Sequence, residues 1–188
     1  SGYKIKYTTG DESEMSTFNN GIVEIPEKFG VLPVTAIGDN AFIGATMLQS
    51  VKIPDSVTSI GDFAFGNSSI GTIYGGNGIK TLGDYAFHNC DNFIAVNLFP
   101  KVVSVGDYCF YDCSSLVSMN LNNVITSIGD SVFGNCSNLA LIKIPASVKT
   151  IGDNAFFRCT SLTTVTFQNG IESIGNYAFQ NCTGLTKI

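Results

Sequence analysis

Charged side chains are scarce in this chain. They make up 13% of its 188 residues, about half the share of an ordinary soluble domain. The ten lysines and arginines are scattered and the net charge is -5. Phosphate backbones need clustered cations, so this balance argues against nucleic acid, and none is expected as a partner. Long apolar runs are missing too, and no stretch approaches the roughly 18 residues of a membrane span. Histidine occurs once, as His88, and spacing nominates no Ser, Cys or carboxylate partner for it, so a solvent-exposed turn position is expected. Paired carboxylates, metal-spaced His and Cys, and a nucleophile elbow are absent. The glycine cluster Gly75–Gly78 has neither the Lys nor the following helix of a phosphate loop, and reads as a turn. No catalytic residue, metal or cofactor is assigned.

What the chain has instead is a repeat. The segment Ile-Gly-Asp-x-Ala-Phe recurs seven times, beginning at Ile37, Ile60, Leu82, Val105, Ile128, Ile151 and Ile174. A fixed period of this length means that one supersecondary unit is stacked on itself. Phe fills the sixth position in every copy (Phe42, Phe65, Phe87, Phe110, Phe133, Phe156, Phe179), and Gly fills the second. In the copy that starts at Cys159, Val165 and Phe167 alternate with Thr164, Thr166 and Gln168, the period of a strand with one buried face. A shorter extended stretch, Ile171–Ile174, follows on the opposite wall. Gly175 then turns the chain, by a positive φ or by close backbone approach. The Asp or Asn after it suits a helix N-cap, with one helical or 3-10 turn to follow.

Stacked coils put equivalent residues in columns. Leu48, Ile70, Phe93, Leu116, Leu139, Leu162 and Leu185 form one. Val51, Ile73, Val96, Met119, Ile142, Val165 and Ile188 form another. One copy has 22 residues, having lost a position near Ser68-Ser69-Ile70; a kink or bulge with raised mobility is expected there. Residues 1–34 break the pattern. Tyr3–Tyr7 and Gly21–Pro26 alternate around a polar turn, Thr9–Glu14, and read as extended strands that cap the solenoid of residues 35–188. No second cap is visible, so edge-to-edge self-association is expected at the C-terminal end. No export signal is visible. The chain opens on Ser1-Gly2 and closes partway through an eighth unit, as expected of a piece of a longer protein.

The pattern Cys-x-x-Leu-x-x-Val-x-Ile-Pro-x-x-Val-x-x-Ile-Gly-x-x-Ala-Phe resembles the BspA-like, or treponemal 23-residue, leucine-rich repeat. The stretch Leu141–Phe156 resembles its consensus, and the match covers about residues 31 to 188. The chain departs from the common leucine-rich repeat, which places Asn or Cys after its strand motif. Here Ser56, Gly78, Lys101, Val124, Ser147 and Gly170 stand there, so no asparagine ladder is expected. The resemblance implies a right-handed leucine-rich-repeat solenoid, β-rich though classed α/β by convention, with a parallel sheet and short helical or 3-10 turns. It implies a non-enzymatic module of a bacterial cell-surface or secreted protein that adheres to host or cell-surface proteins or glycans. A structural spacer for other domains and an intracellular scaffold are the alternatives.

Three columns deserve chemical scrutiny. Cys90, Cys113, Cys136, Cys159 and Cys182 share one turn position. Parallel stacking holds their Cβ atoms beyond the ~3.8 Å typical of a disulfide, which favours buried free thiols over bridges or a metal. Cys109 sits in the Ala column and reads as core. Asp39, Asp62, Asp84, Asp107, Asp130 and Asp153, continued by Asn176, could suggest calcium, but one Asp per coil supplies too few oxygens. The expectation is that each caps its own turn. The outward face of the main sheet is the remaining candidate: Lys52, Tyr74, Asn97, Asn120, Lys143 and Thr166, with Leu141 flanking and Phe99 following the third strand. Tyr74, Phe99 and Leu141 are the expected anchors of a bound partner, against the plainer reading of a soluble sheet surface.

Overall fold

The computed structural model describes residues 3–5 and 21–188; the expected polar turn Thr9–Glu14 lies outside them. Each coil contributes one strand to each of two walls. The front wall holds β2 (Ile22–Glu24), β5 (Ser50–Ile53), β7 (Thr72–Gly75), β9 (Ala95–Asn97), β11 (Ser118–Asn120), β13 (Leu141–Ile144) and β15 (Thr164–Phe167). The rear wall holds β1 (Tyr3–Ile5), β4 (Leu32–Ile37), β6 (Ser59–Ile60), β8 (Thr81–Leu82), β10 (Ser104–Val105), β12 (Ser127–Ile128), β14 (Thr150–Ile151) and β16 (Ser173–Ile174). A further strand, β3 (Lys28–Phe29), forms a hairpin with β4. All other pairings are parallel, and equivalent residues of successive repeats face one another: Leu141 opposite Thr164, Val165 opposite Ile142.

The interior follows the columns. Phe65, Phe87, Phe110, Phe133 and Phe156 are fully buried, while Phe179, in the last copy, is half-buried. Their rings stack from coil to coil with centroids 5.0–5.8 Å apart and planes within 18° of parallel. The Leu column is buried from Leu48 to Leu162, and Leu185 is partly covered. The Val column is less uniform: Val51, Met119, Ile142 and Val165 are buried, Ile73 and Val96 only partly, and Ile188 is exposed.

The third wall corrects an expectation. The six residues after each Ile-Gly step form a flat run of turns, and the described residues contain no helix. Two residues per coil take left-handed backbone angles. One column is Asn40, Phe63, Tyr85, Tyr108, Ser131, Asn154 and Tyr177, the other Gly44, Asn67, Asn89, Asp112, Asn135, Arg158 and Asn181. These two left-handed residues, four positions apart, interrupt helix propagation, and every second N–H of the turn points along the solenoid axis. Phe65 N–H thus donates to Ala86 O at 2.8 Å, Asn67 to His88 O at 2.8 Å, and Tyr108 to Asp130 O at 2.9 Å. The N–H groups between them close the turn itself, as Gly66 N–H does on Phe63 O at 3.0 Å, so each turn is both closed locally and stitched to the next coil.

The Asp column joins neighbours in the same way, and not as caps of its own turns. Asp84 Oδ1 accepts the N–H of Asp107 at 2.9 Å, Asp107 that of Asp130 at 2.8 Å, and Asp130 that of Asp153 at 2.8 Å. The Gly column exists to admit these carboxylates. A Cβ at Gly106 would lie 2.4 Å from Asp84 Oδ1, and one at Gly152 would lie 2.4 Å from Asp130 Oδ1. None of these glycines has a positive φ, so close approach, not backbone freedom, selects glycine.

Two tests follow from this packing. Phe133→Ala removes a ring with neighbours above and below, and a loss of about 3–5 kcal/mol is expected in urea unfolding. Gly129→Ala would place its Cβ 2.5 Å from Asp107 Oδ1 but no nearer than 3.5 Å to any backbone atom. Overpacking there should cost roughly 1–3 kcal/mol, and adding Asp107→Ala should recover part of it. Gly106→Ala should not be recovered by Asp84→Ala, because its Cβ also meets the Asp84 backbone N at 2.5 Å.

Candidate functional site

The pleat of the front wall turns alternate side chains to solvent. Lys52, Tyr74, Asn97, Asn120, Lys143 and Thr166 are all exposed, one per coil. Register pairs them along the axis: Lys52 with Tyr74, Asn97 with Asn120, Lys143 with Thr166. Asn120 Nδ2 donates to Asn97 Oδ1 at 3.2 Å. Lys52 Nζ is paired with the Glu24 carboxylate, which raises its pKa, but both groups are open to water and the pair adds little stability. Tyr74 and Leu141 keep 57% and 58% of their surface exposed, as anchors for a partner require. Phe99 does not belong with them. It is buried at 9% exposure, with its ring over Gly76. Phe99 stands in the column that holds Pro54 and Pro145, and the absent side chain of Gly76 in the preceding coil makes the room it fills.

The face is not continuous. The front wall divides into β2-β5-β7 and β9-β11-β13-β15, with no pairing between β7 and β9. Between them lies a cavity of about 350 Å³, floored by Phe87, Phe93 and Phe110 and walled by Ile73, Gly75, Ala95 and Asn97. The expected kink of the 22-residue repeat is therefore a parting of the sheet. The shortened turn lies just before β7. Phe93, the one Phe in a column of Leu and Ile, lines the opening and packs edge-on against Phe87 at 5.7 Å.

The cysteine column is structural. All six cysteines are free and buried. Cys90, Cys113 and Cys136 each place Sγ 3.1–3.2 Å from the carbonyl of a Phe in the preceding coil: Phe65, Phe87 and Phe110. A small side chain with one weak donor thus satisfies a buried acceptor. Burial pushes the Cys90 thiol up to about 12, and Cys109, Cys113 and Cys136 also well above their ordinary value. These thiols stay protonated and inert at neutral pH. Among the described residues no group of three or more His, Cys, Asp or Glu could hold a metal ion. His88 is not fully exposed. It is half-buried between Tyr85 and Tyr111, with Nδ1 3.2 Å from Tyr111 O.

Two features of the structure lie outside the columns that the repeat makes evident. Phe63, Tyr85 and Tyr108 stack on the turn wall at 4.6 and 4.7 Å; burial and the neighbouring Tyr108 raise the Tyr85 hydroxyl pKa. Their signal was the variable position of Ile-Gly-Asp-x-Ala-Phe, aromatic in three consecutive copies. Asn122, in the Pro column, donates to Phe99 O and Val102 O at 2.6 and 2.8 Å and accepts from Val124 and Ile125. Nothing periodic marked it.

The model of the BspA type leucine rich repeat region matches this chain in six copies, over residues 16–140 and 80–188. The chain belongs to the BspA-type leucine-rich repeat family. Solved structures agree on the fold. A leucine-rich repeat protein of Treponema pallidum is similar at 29% identity and TM-score 0.84, over 89% of this chain and 78% of that one. The pneumococcal vaccine antigen PcpA matches at 24% identity and TM-score 0.72, over 89% of this chain and 43% of that one. A leucine-rich repeat protein of Bacteroides ovatus matches at 24% and 0.52, over 89% and 63%. No curated protein matches by sequence. BspA-type repeats are protein-binding scaffolds, generally without enzymatic activity and typically found on surfaces. No helix among the described residues is long and apolar enough to cross a membrane.

The buried thiols set an alkaline limit. In the unfolded chain they ionise near pH 8.5, at about the free-cysteine value. In the folded chain Cys90 holds its proton to about 12. Above pH 8.5 the unfolded state binds fewer protons, so stability falls as pH rises, by up to ~1.4 kcal/mol per pH unit for each such thiol. Urea midpoints at pH 8 and 10 should differ accordingly, and the difference should shrink when Cys90, Cys113 and Cys136 are changed to Ala.

Proposed function

We propose that this BspA-type solenoid is a non-enzymatic binding module of a bacterial cell-surface or secreted protein, and that it holds a host or cell-surface protein on the outer face of its front wall. The observation that carries this reading is the register of exposed side chains. Lys52 and Tyr74 on one side of the parting, and Asn97, Asn120, Leu141, Lys143 and Thr166 on the other, project from the same side of the solenoid, with two large apolar groups open to water. A surface ordered by its own backbone pairing loses little entropy on binding, so contacts on it convert well into affinity. Tyr and Leu supply desolvation, and Lys and Asn supply polar fixing points around them. A glycan is the second ligand class that such a row of Asn, Tyr and Lys fits.

The test is capture of soluble extracellular-matrix proteins on the immobilised chain, followed by surface plasmon resonance. Tyr74→Asp combined with Leu141→Asp should weaken binding by about 30-fold, the effect of losing two anchor contacts that together contribute ~2 kcal/mol. Circular dichroism should not change, because both side chains point outward. Binding that survives the double substitution assigns recognition to another surface.

A further inference from the structure

The parting between β7 and β9 has the form of a vacant strand position. In a parallel sheet the N–H and C=O of successive residues point to opposite neighbours. On β7 the N–H of Thr72 and the N–H of Gly76, just beyond it, reach back to Gln49 O and Ile53 O. Ile73 and Gly75 therefore aim their amide groups forward. On β9, Ile94 O accepts from Val117 and Ser118, and Leu98 N–H donates forward to Asn120 O at 2.9 Å. Ala95 and Asn97 therefore aim theirs back. Between other neighbouring front strands such groups meet; here both rows face the cavity.

The opening is closed at its two ends. Gly71 lies against the Asn92 backbone, and Gly76 lies under the Phe99 ring. Its walls are strands of four and three residues, or roughly 10 Å of extended chain. Its floor is the Phe column.

We infer that this cleft takes an extended peptide of about three residues, inserted parallel to β7 and β9 and hydrogen-bonded to both. The inference rests on the front wall being the binding face, and it names what that face admits. Two facing rows of amide donors and acceptors with strand spacing match a peptide backbone and nothing else of that size. Strand addition draws its affinity from those main-chain bonds and its specificity from alternate side chains. The central side chain would point inward onto Phe87 and Phe110, in the column this protein fills with Val, Ile or Met. The flanking ones would point outward beside Tyr74 and Asn97. The recognised sequence is therefore polar–β-branched–polar, as in Thr164-Val165-Thr166.

The probe is the capped tripeptide Ac-Thr-Val-Thr-NH2, with Ac-Gly-Ser-Gly-NH2 as control, titrated into the isotopically labelled protein and followed by amide resonances and hydrogen exchange. In the free protein the amides of Ile73, Gly75, Ala95 and Asn97 should exchange quickly. Those of Thr164 and Thr166, equivalent to Ala95 and Asn97 but facing β13, should be protected. The Thr-Val-Thr peptide should shift and protect the four cleft amides, and the control should not. Ala95→Pro removes a donor that points into the cleft and breaks no bond to β11. It should weaken the peptide about tenfold, the worth of one amide hydrogen bond, with Thr164 and Thr166 still protected. Protection of the four amides in the free protein, equal response to both peptides, or no response overturns the inference. Loss of matrix-protein capture in Tyr74→Asp/Leu141→Asp but not in Ala95→Pro would overturn the cleft alone; capture unaffected by either would overturn the face.

Discussion

Every feature of this molecule depends on where a coil sends its backbone hydrogen bonds. A coil of 23 residues with no helix has no internal partner for most of its amides. Buried amides left without partners each cost on the order of 1–3 kcal/mol, so they must find partners in the next coil. The front and rear strands do so by parallel pairing. The turn wall does so with two left-handed residues in each coil, although a left-handed conformation costs non-glycine residues roughly 1–2 kcal/mol each. Asn occupies several of these positions because it tolerates that conformation. Phe63, Tyr85 and Tyr108 occupy others, where ring stacking offsets the strain.

Once coils are bonded along the axis, side chains must match from coil to coil. A carboxylate from one coil fills the space that glycine leaves in the next. A thiol from one coil meets the carbonyl of a buried Phe in the coil before. A flat ring lies over a flat ring. These are long-range contacts in sequence, yet each spans one repeat, so a stable stack grows by neighbour interactions alone. Low overall charge fits this plan, since carboxylates on the axis serve as hydrogen-bond acceptors to the backbone and need no cation beside them.

Regularity also makes an exception visible. Where a turn is one residue short and Phe93 stands in place of Leu or Ile, two strands part and their amides face open space. The surrounding coils, bonded through the other two walls at that point, hold the gap in place: β8 still pairs with β10, and Tyr85 N–H still reaches Asp107 O at 2.9 Å. A binding face built on such a stack is rigid on either side of a single receptive opening.

The coil, its length, the two strands within it and the buried columns were all legible in the linear chain. A residue that repeats every 23 positions answers a steric demand that repeats every coil, and period two within a coil marks the inward side. The exposed row from Lys52 to Thr166 was legible for the same reason. Packing of coil on coil settled which way each Asp reaches, that the third wall is not helical, that Phe99 turns inward over Gly76, and that β7 and β9 part. Those outcomes depend on how one coil fits against the next. A linear pattern records what recurs, whereas the fit is set by three-dimensional contact between residues that differ from one copy to another.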